Sequence, residues 1–148
     1  MKLPKYEVEA EDSLEVFEFV SIGNNGNIPK LIKFSETALK GFYNLAFGDK
    51  DLLTGEIDDK VVSKNGDSEK VLATIVSAVY AFTDKKNGAW VYATGSTLAR
   101  TRLYRMGITK YIDEVRYDFE VYGLLNGEWQ NFEKDIDYSA FLVRRNKW

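Results

Sequence analysis

Apolar residues alternate along the first part of the chain in the way that β-strands require. Residues 14–22 and 28–34 are rich in Val, Ile and Phe. Asn24-Asn25-Gly26 between them is a strong turn signal, so the two runs predict a first hairpin. Residues 41–48 indicate a further strand, because apolar side chains at every second position share one face. Residues 57–63 are expected to return beside it, so this part of the chain predicts antiparallel strands.

A helical period replaces the alternation after residue 65. Asn65-Gly66-Asp67-Ser68-Glu69 supplies a capping residue and acids for a first turn, and the helix is expected to extend to about Asp84. Its apolar stripe consists of Val71, Leu72, Ile75, Val76, Val79 and Phe82. The other side is small and neutral, and no charged residue occurs from residue 71 to 83. Such a helix is expected to be central and covered on both sides, or to form part of a subunit contact.

Two shorter helices are expected next. Residues 89–93 predict a short interior strand, and Gly95-Ser96-Thr97 turns this strand into a second helix. Gly107 is expected to end that helix. Thr109 then caps a third helix that extends to about residue 115.

The last third of the chain returns to strands. Residues 119–125 and 128–132 flank Asn126-Gly127 and predict a hairpin, and residues 141–145 predict a final strand. We find no internal repeat, linker or low-complexity segment. The sequence therefore predicts a single α+β domain over residues 1–148, with a largely antiparallel sheet of several hairpins. One long central helix and two shorter helices are expected to pack on this sheet.

Composition excludes several classes of site. The 148 residues include no cysteine and no histidine, which excludes disulfides, thiolate zinc sites, cysteine nucleophiles and the common catalytic triads. The N-terminus lacks the apolar run of a signal peptide, and the apolar stretches are too short to span a membrane. We therefore expect a cytoplasmic protein without a membrane partner.

The acidic loop at residues 49–59 is a weak candidate for a metal site. Asp49, Asp51, Gly55 and Glu56 have a faint similarity to a calcium loop, but Leu53 occupies the third ligand position. A solvated hairpin loop is the expected alternative. No metal and no cofactor are predicted.

The net charge of −3 hides an uneven distribution. Residues 1–60 carry 7 lysines and 12 acids, whereas no Asp or Glu occurs from residue 89 to 112. All arginines lie in the last third of the chain, at Arg100, Arg102, Arg105, Arg116, Arg144 and Arg145. Because arginine forms planar, bidentate contacts with phosphate and carboxylate, this distribution favours a local arginine site.

The turn before the second helix is the best candidate for that site. With Ser96 as the N-cap, the remaining first-turn N–H groups and the helix dipole would face an anion. No acid occupies the first turn, and Arg100 so near the positive end costs about 0.3–1 kcal/mol unless an anion lies between. Gly-Ser-Thr before a helix is a weak signal by itself, and no P-loop motif is present. The alternative is that Ser96 is a plain cap and the arginines pair with the acidic N-terminal half.

The helical wheel divides the arginines between two sides. Ala99, Leu103 and Met106 are expected to form the core stripe. Arg100 and Tyr104 would lie together on one side of this stripe, and Arg102 and Arg105 on another edge, beside Leu98. Tyr92, Tyr104, Tyr111, Tyr117 and Tyr122 lie in or near the basic region. They suit base stacking or, as the alternative, core and sheet packing. Tyr104 is the tyrosine predicted to be functional.

Four segments or pairs of segments carry a resemblance that covers nearly the whole chain. They are Phe47-Gly48-Asp49; Asn65-Gly66-Asp67 with Lys70-Val-Leu-Ala-Thr74; Ala93-Thr-Gly-Ser-Thr97 with Arg100-Thr-Arg-Leu-Tyr-Arg105; and Phe119-Glu-Val-Tyr-Gly123. In these segments the chain resembles a family of short bacterial proteins of unknown function. The resemblance implies a single-domain protein of about this size, and it supplies no activity and no catalytic residue.

Two hypotheses of function follow. The first is that the protein binds a phosphate-bearing ligand, either a nucleotide or RNA, with or without catalysing a reaction. A toxin-like action on RNA is one version of this hypothesis. Its predicted ligand-binding residues are Ser96, Thr97, Arg100, Arg102, Tyr104 and Arg105. The second is a non-enzymatic protein-interaction module, either a homodimer or one half of a pair with a small partner, as in a toxin–antitoxin pair. The neutral back of the long helix and the charge distribution favour this second hypothesis.

Overall fold

The computed structural model describes residues 4–58, 64–95 and 97–146. Within these ranges the strands are β1 Glu9–Ala10, β2 Val16–Gly23, β3 Gly26–Glu36, β4 Phe42–Lys50, β5 Ile57–Asp58, β6 Trp90–Ala93, β7 Phe119–Leu125, β8 Glu128–Asn131 and β9 Ala140–Arg145. The helices are α1 Ser68–Lys85, α2 Leu98–Lys110 and α3 Ile112–Asp118. The predicted return of residues 57–63 is seen for β5, and residues 59–63 lie outside the described ranges.

In the described ranges one sheet contains all nine strands. Its order is β1-β2-β3-β4-β6-β9-β7-β8, and β5 pairs with the end of β4. The β4–β6 pair is parallel, and the other pairs are antiparallel. Together with the three helices this arrangement confirms the predicted α+β class with a largely antiparallel sheet. The sequence placed the hairpins correctly because their turns and their alternation are both local signals.

The two faces of the sheet have different partners. On one face, which we call the core face, Ile32, Leu45, Val91 and Val121 are buried. Side chains alternate along a strand, so neighbouring residues such as Trp90 point to the opposite face, which we call the open face. The helices pack against the core face, where α1, α2 and α3 line one apolar space together with β4, β6, β7 and β9.

Helix α1 is covered on both sides. Its Phe82 ring stacks on Phe34 at 4.2 Å between centroids and meets Tyr43 edge-on at 4.9 Å, which fixes the helix on the sheet. On the other side the N-terminal segment passes over the helix, where the Tyr6 amide donates to Thr74 Oγ1 at 2.9 Å. The structure therefore shows coverage within the fold, and the expected subunit contact stays a prediction.

Helix α2 continues past the residue that was expected to end it. Gly107 lies inside α2, which ends at Lys110. Tyr111 separates it from α3, which begins at Ile112. A Cβ atom at Gly107 would lie 2.9 Å from Leu72 Cδ2, so the glycine allows α2 to approach α1 closely. The prediction of a helix end at Gly107 was therefore wrong, because a packing role was interpreted as a capping role.

The face that α2 buries also differs from the one predicted by the helical wheel. The buried residues of α2 are Arg100, Tyr104 and Gly107. Of the predicted core stripe, Leu103 packs against the core as a partly buried residue, whereas Ala99 and Met106 are exposed and their prediction was wrong. The contact of Gly107 with α1 and the burial of Arg100 against the sheet fix this orientation. Both contacts come from distant parts of the chain, and hydrophobic periodicity along α2 does not contain them.

Candidate functional site

The start of α2 presents free backbone donors. Thr97 is the N-cap, and its Oγ1 accepts the Arg100 N–H at 3.2 Å. The predicted cap, Ser96, lies outside the described residues, and the capping role belongs to Thr97. The N–H groups of Leu98 and Ala99 are the first two of the helix and have no acceptor among the residues that the structure describes. No acid is present in this first turn, as the sequence predicts.

A cleft of about 620 Å³ opens at this helix start. We call it the α2 cleft, and its walls come from the end of β6, from α2 and from the segment before β9. It is lined by Thr94, Gly95, Thr97, Leu98, Thr101, Arg102, Arg105, Asp137, Tyr138 and Ser139. Thr94 Oγ1 donates to the Ser139 carbonyl at 2.9 Å, which holds two of these walls together.

Two arginines line the α2 cleft, and their pairing differs. Arg105 forms an ion pair with the exposed carboxylate of Asp137. Arg102 is exposed and forms no hydrogen bond or ion pair with a residue in the described ranges. The structure thus brings Thr97, Arg102 and Arg105 together beside Leu98, on the edge of α2 where the wheel placed the two arginines.

Arg100 lies on a different side of α2 from this cleft. It is 6% exposed, and its Nη2 donates to the Asp58 carbonyl of β5 at 3.3 Å. Its guanidinium packs so closely on Gly48 that a Cβ there would lie 2.9 Å from Nη2. In this position Arg100 joins α2 to β4 and β5, and it does not line the α2 cleft.

Tyr104 is part of the hydrophobic core. It is buried and lines the apolar space between the helices and the core face. The expectation that it lies off the core stripe was wrong, because α2 turns Arg100, Tyr104 and Gly107 inward. Of the other candidate tyrosines, Tyr111 is buried, Tyr117 is exposed, and Tyr92 and Tyr122 belong to the open face.

A second cleft of about 350 Å³ lies at the start of α1 and was missed by the sequence analysis. Its wall includes buried Lys30, which forms an ion pair with Asp49, and the guanidinium of Arg100. The segments that carry the family resemblance at residues 47–49 and 65–67 meet here. One sequence signal could have located it, because Lys30 occupies an inward position in the alternation that leads to Ile32 and Phe34.

A hydrogen-bonded network supports this second cleft from below. The Asp67 carboxylate accepts the Tyr6 hydroxyl and the Ser21 hydroxyl, both at 2.5 Å, and it does not cap α1. Asn65 Nδ2 donates to Ser21 Oγ at 3.0 Å and to the Gly26 carbonyl at 2.9 Å. Burial, followed by the hydrogen bond to Asp67, raises the pKa of Tyr6. These polar groups satisfy one another and hold the first hairpin against the start of α1.

The acidic loop after β4 bonds to itself. Asp51 Oδ1 accepts the Leu53 N–H at 2.8 Å, and the Gly55 N–H donates to the Asp51 carbonyl at 2.7 Å. Asp49 is in the ion pair with Lys30. Among the described residues no group of three or more Asp, Glu, His or Cys side chains is placed to hold a metal ion.

Comparison with known proteins gives a family and no activity. Within the described ranges no helix is both long and apolar enough to cross a membrane. No curated protein and no solved structure matches the chain. Residues 2–146 match the model of DUF6934, a family of unknown function, and the chain therefore belongs to this family.

Proposed function

We propose that this protein binds a phosphate-bearing ligand, a nucleotide or RNA, in the α2 cleft. The observation that carries the proposal is the first-turn N–H group of Leu98, which has no acceptor among the described residues and lies in the cleft wall with Arg102. Backbone donors at a helix N-terminus and a guanidinium are complementary to phosphate oxygens. A phosphate here would also neutralise the positive end of a helix whose first turn lacks an acid.

Each residue of the cleft has a role in the proposal. Thr97 fixes the helix start, and the Leu98 amide with Arg102 binds the phosphate. Arg105 extends the positive surface by exchanging Asp137 for the ligand, which is inexpensive because exposed ion pairs contribute about 0–1 kcal/mol. Ser96 remains a proposed ligand contact on sequence grounds. Arg100 contributes indirectly, because it anchors α2 to the sheet, and Tyr104 contributes by packing in the core.

The biological setting is part of the same proposal. A toxin-like action on RNA in a bacterial cytoplasm is one version of it, with or without catalysis. The absence of histidine and cysteine from the sequence leaves tyrosine, arginine and carboxylates as the side chains for any chemistry. The binding step itself needs no cofactor.

Titration at low salt tests the proposal. ATP and a short single-stranded RNA would be titrated into wild type, Arg102→Ala and Lys40→Ala, with Lys40 as an exposed cation away from the cleft. A charge-assisted hydrogen bond predicts about a 10-fold loss for Arg102→Ala and no change beyond the general charge effect for Lys40→Ala. Absence of binding to wild type at low salt, or equal affinities for the two variants, would refute phosphate binding at this cleft.

A second candidate function is protein interaction through the outer face of α2. Leu98 is 86% exposed and Met106 is 49% exposed, and both flank Arg102 at a spacing of four residues. Apolar side chains around a cation suit an acidic, apolar segment of a partner or of a second copy. Light scattering and co-purification test this alternative. It loses its support if the pure protein is strictly monomeric and captures no partner that Leu98→Ser and Met106→Ser would release.

A further inference from the structure

The open face of the sheet carries five aromatic side chains on four of its strands. We call this set the aromatic platform, and it consists of Phe42, Trp90, Tyr92, Tyr122 and Trp129. Strand register places these residues on one face. In one row across the strands, Trp90 has Phe42 on one side and Arg144 on the other. In the next row, Leu142 lies between Tyr92 and Tyr122. The platform therefore extends across β4, β6, β9, β7 and β8.

The rings of the platform are in contact with one another. Phe42 and Trp90 are stacked, with centroids 5.8 Å apart and planes 6° apart. Trp90 and Tyr122 are 5.9 Å apart, and Tyr92 meets Trp129 edge-on at 6.0 Å. Trp129 is the most open member, 43% exposed. Such mutual support fixes the ring planes before any ligand binds, which lowers the entropic cost of stacking.

The helices leave this face available. Their ring contacts with the sheet, such as Phe82 with Phe34 and Tyr80 with Phe119, are all on the core face. In the part of the chain that the structure describes, the ring contacts of the platform residues are with one another. Aromatic side chains at adjacent strands of an open sheet face are the arrangement with which proteins stack single-stranded bases.

The size of the platform favours a small planar partner over a second copy. Four steps between strands of about 4.8 Å and two rows of side chains give an area of about 250 Å². A stable dimer needs about 800 Å² from each partner, so the platform is too small for that role by itself. It accommodates a few bases.

Charge on the platform is compatible with a nucleic acid. The Arg144 guanidinium lies 4.3 Å from the centre of the Trp90 ring and presents a second planar group for stacking. Its Nε and Nη2 donate to Glu120 Oε2 at 2.9 and 2.8 Å, so the carboxylate near the rings is neutralised. The positive charge that would attract phosphate lies next to the platform, at Arg102 and Arg105.

The platform and the α2 cleft meet at one end of the sheet. Tyr92 precedes Thr94 of the cleft by two residues, about 7 Å along a strand. Trp129 is opposite Leu124, whose carbonyl accepts the N–H of Ser139, another residue of the cleft. An oligonucleotide of a few residues can therefore extend from the platform to the α2 cleft around the end of β6.

We propose that the ligand is a single-stranded nucleic acid whose bases stack on the aromatic platform while one phosphate lies in the α2 cleft. This inference rests on the proposed function and specifies its ligand as an oligonucleotide. Tyr92 and Trp129 are the stacking residues nearest to the cleft. Phe42, Trp90 and Tyr122 extend the surface along the strand.

Comparison of four ligands tests the inference. Fluorescein-labelled hexanucleotides of RNA and DNA, ATP and inorganic phosphate would be titrated at low salt into wild type, Arg102→Ala, Trp129→Ala, Trp129→Phe and Tyr117→Ala. Tyr117 is an exposed aromatic on α3, so it controls for loss of a ring away from the platform. Trp129→Ala should weaken hexanucleotide binding about 10-fold. It should leave the affinity for inorganic phosphate, which has no base, unchanged, and Trp129→Phe should restore most of the loss.

The failures of the two proposals are distinguishable. If ATP and phosphate bind through Arg102 but the hexanucleotide binds no more tightly than ATP, or Trp129→Ala equals Tyr117→Ala, the inference is overturned and the proposed function stands. If no ligand binds at all, both are overturned. If light scattering instead shows a dimer that Trp129→Ala dissociates, with no hexanucleotide binding, the platform is an interface between copies and the inference is overturned.

Discussion

The guanidinium of Arg100 lies against the backbone of Gly48, where a Cβ atom would be 2.9 Å from Nη2. The sequence predicts Arg100 as a ligand-binding residue. In the structure this contact instead connects α2 to the sheet. The hydrogen bond of Arg100 to the Asp58 carbonyl completes the connection. In the proposed ligand site the positive charge is therefore supplied by Arg102 and Arg105, and Arg100 connects α2 to the sheet.

Replacement of Arg100 should affect stability more than binding. We expect Arg100→Ala to lower the free energy of unfolding by about 2–4 kcal/mol, because it leaves buried polar groups without their partner. Arg100→Lys keeps the charge without the planar fork and should lose less. Urea unfolding measures both. A variant as stable as wild type but unable to bind phosphate would instead place Arg100 in the ligand site.

Gly23 predicts a steric effect of a different origin. A Cβ at Gly23 would lie 1.8 Å from the Asn65 carbonyl oxygen, so Gly23→Ala must separate the first hairpin from the start of α1. We expect a loss of more than about 2 kcal/mol. Gly55→Ala is the control, because its surroundings are open and only its φ of +76° is unfavourable, which costs about 1 kcal/mol. Equal losses in thermal unfolding for the two variants would contradict the close contact seen here.

The strands and α1 could be predicted because their signals are local. Asn-Gly turns lie at Asn25-Gly26 and Asn126-Gly127, and apolar alternation flanks each of them. The inward face of α2 could not be predicted in this way, because Gly107 meets Leu72 and Arg100 meets Asp58 only in the folded chain. Periodicity records which residues are apolar, and here a glycine and an arginine occupy the buried stripe.

One wall of the candidate site could be predicted from the sequence, and the opposite wall could not. Thr97, Arg102 and Arg105 follow from the helix start and its wheel, and they do line one cleft. The opposite wall of that cleft, Asp137 to Ser139, is far away in the sequence and carries no motif. The platform was also hidden, because tyrosines in strands have the same pattern whether their face is covered or open.

Alkaline pH should reduce stability through Tyr80. Burial, and then the hydrogen bond of its hydroxyl to Asp118 Oδ2 at 2.6 Å, raises the pKa of Tyr80 above its ordinary value in the folded protein. Above the unfolded pKa of about 10 the folded state binds more protons than the unfolded state, so stability falls as pH rises. Urea unfolding across this range should show the fall, and Tyr80→Phe should flatten it. An unchanged slope in Tyr80→Phe would show that Tyr80 is not its cause.

Two buried tyrosines should respond oppositely to the loss of a hydroxyl. Within the described residues the Tyr111 hydroxyl is buried without a hydrogen-bond partner, so Tyr111→Phe removes an unsatisfied group and should raise stability by up to about 1 kcal/mol. The Tyr138 hydroxyl accepts the Glu133 N–H at 3.0 Å and Gln130 Nε2 at 2.9 Å. Tyr138→Phe leaves these donors unpaired and should lower stability by about 1–2 kcal/mol. Urea unfolding of both variants decides the matter, because similar losses in the two would mean that the Tyr111 hydroxyl does have a partner in solution.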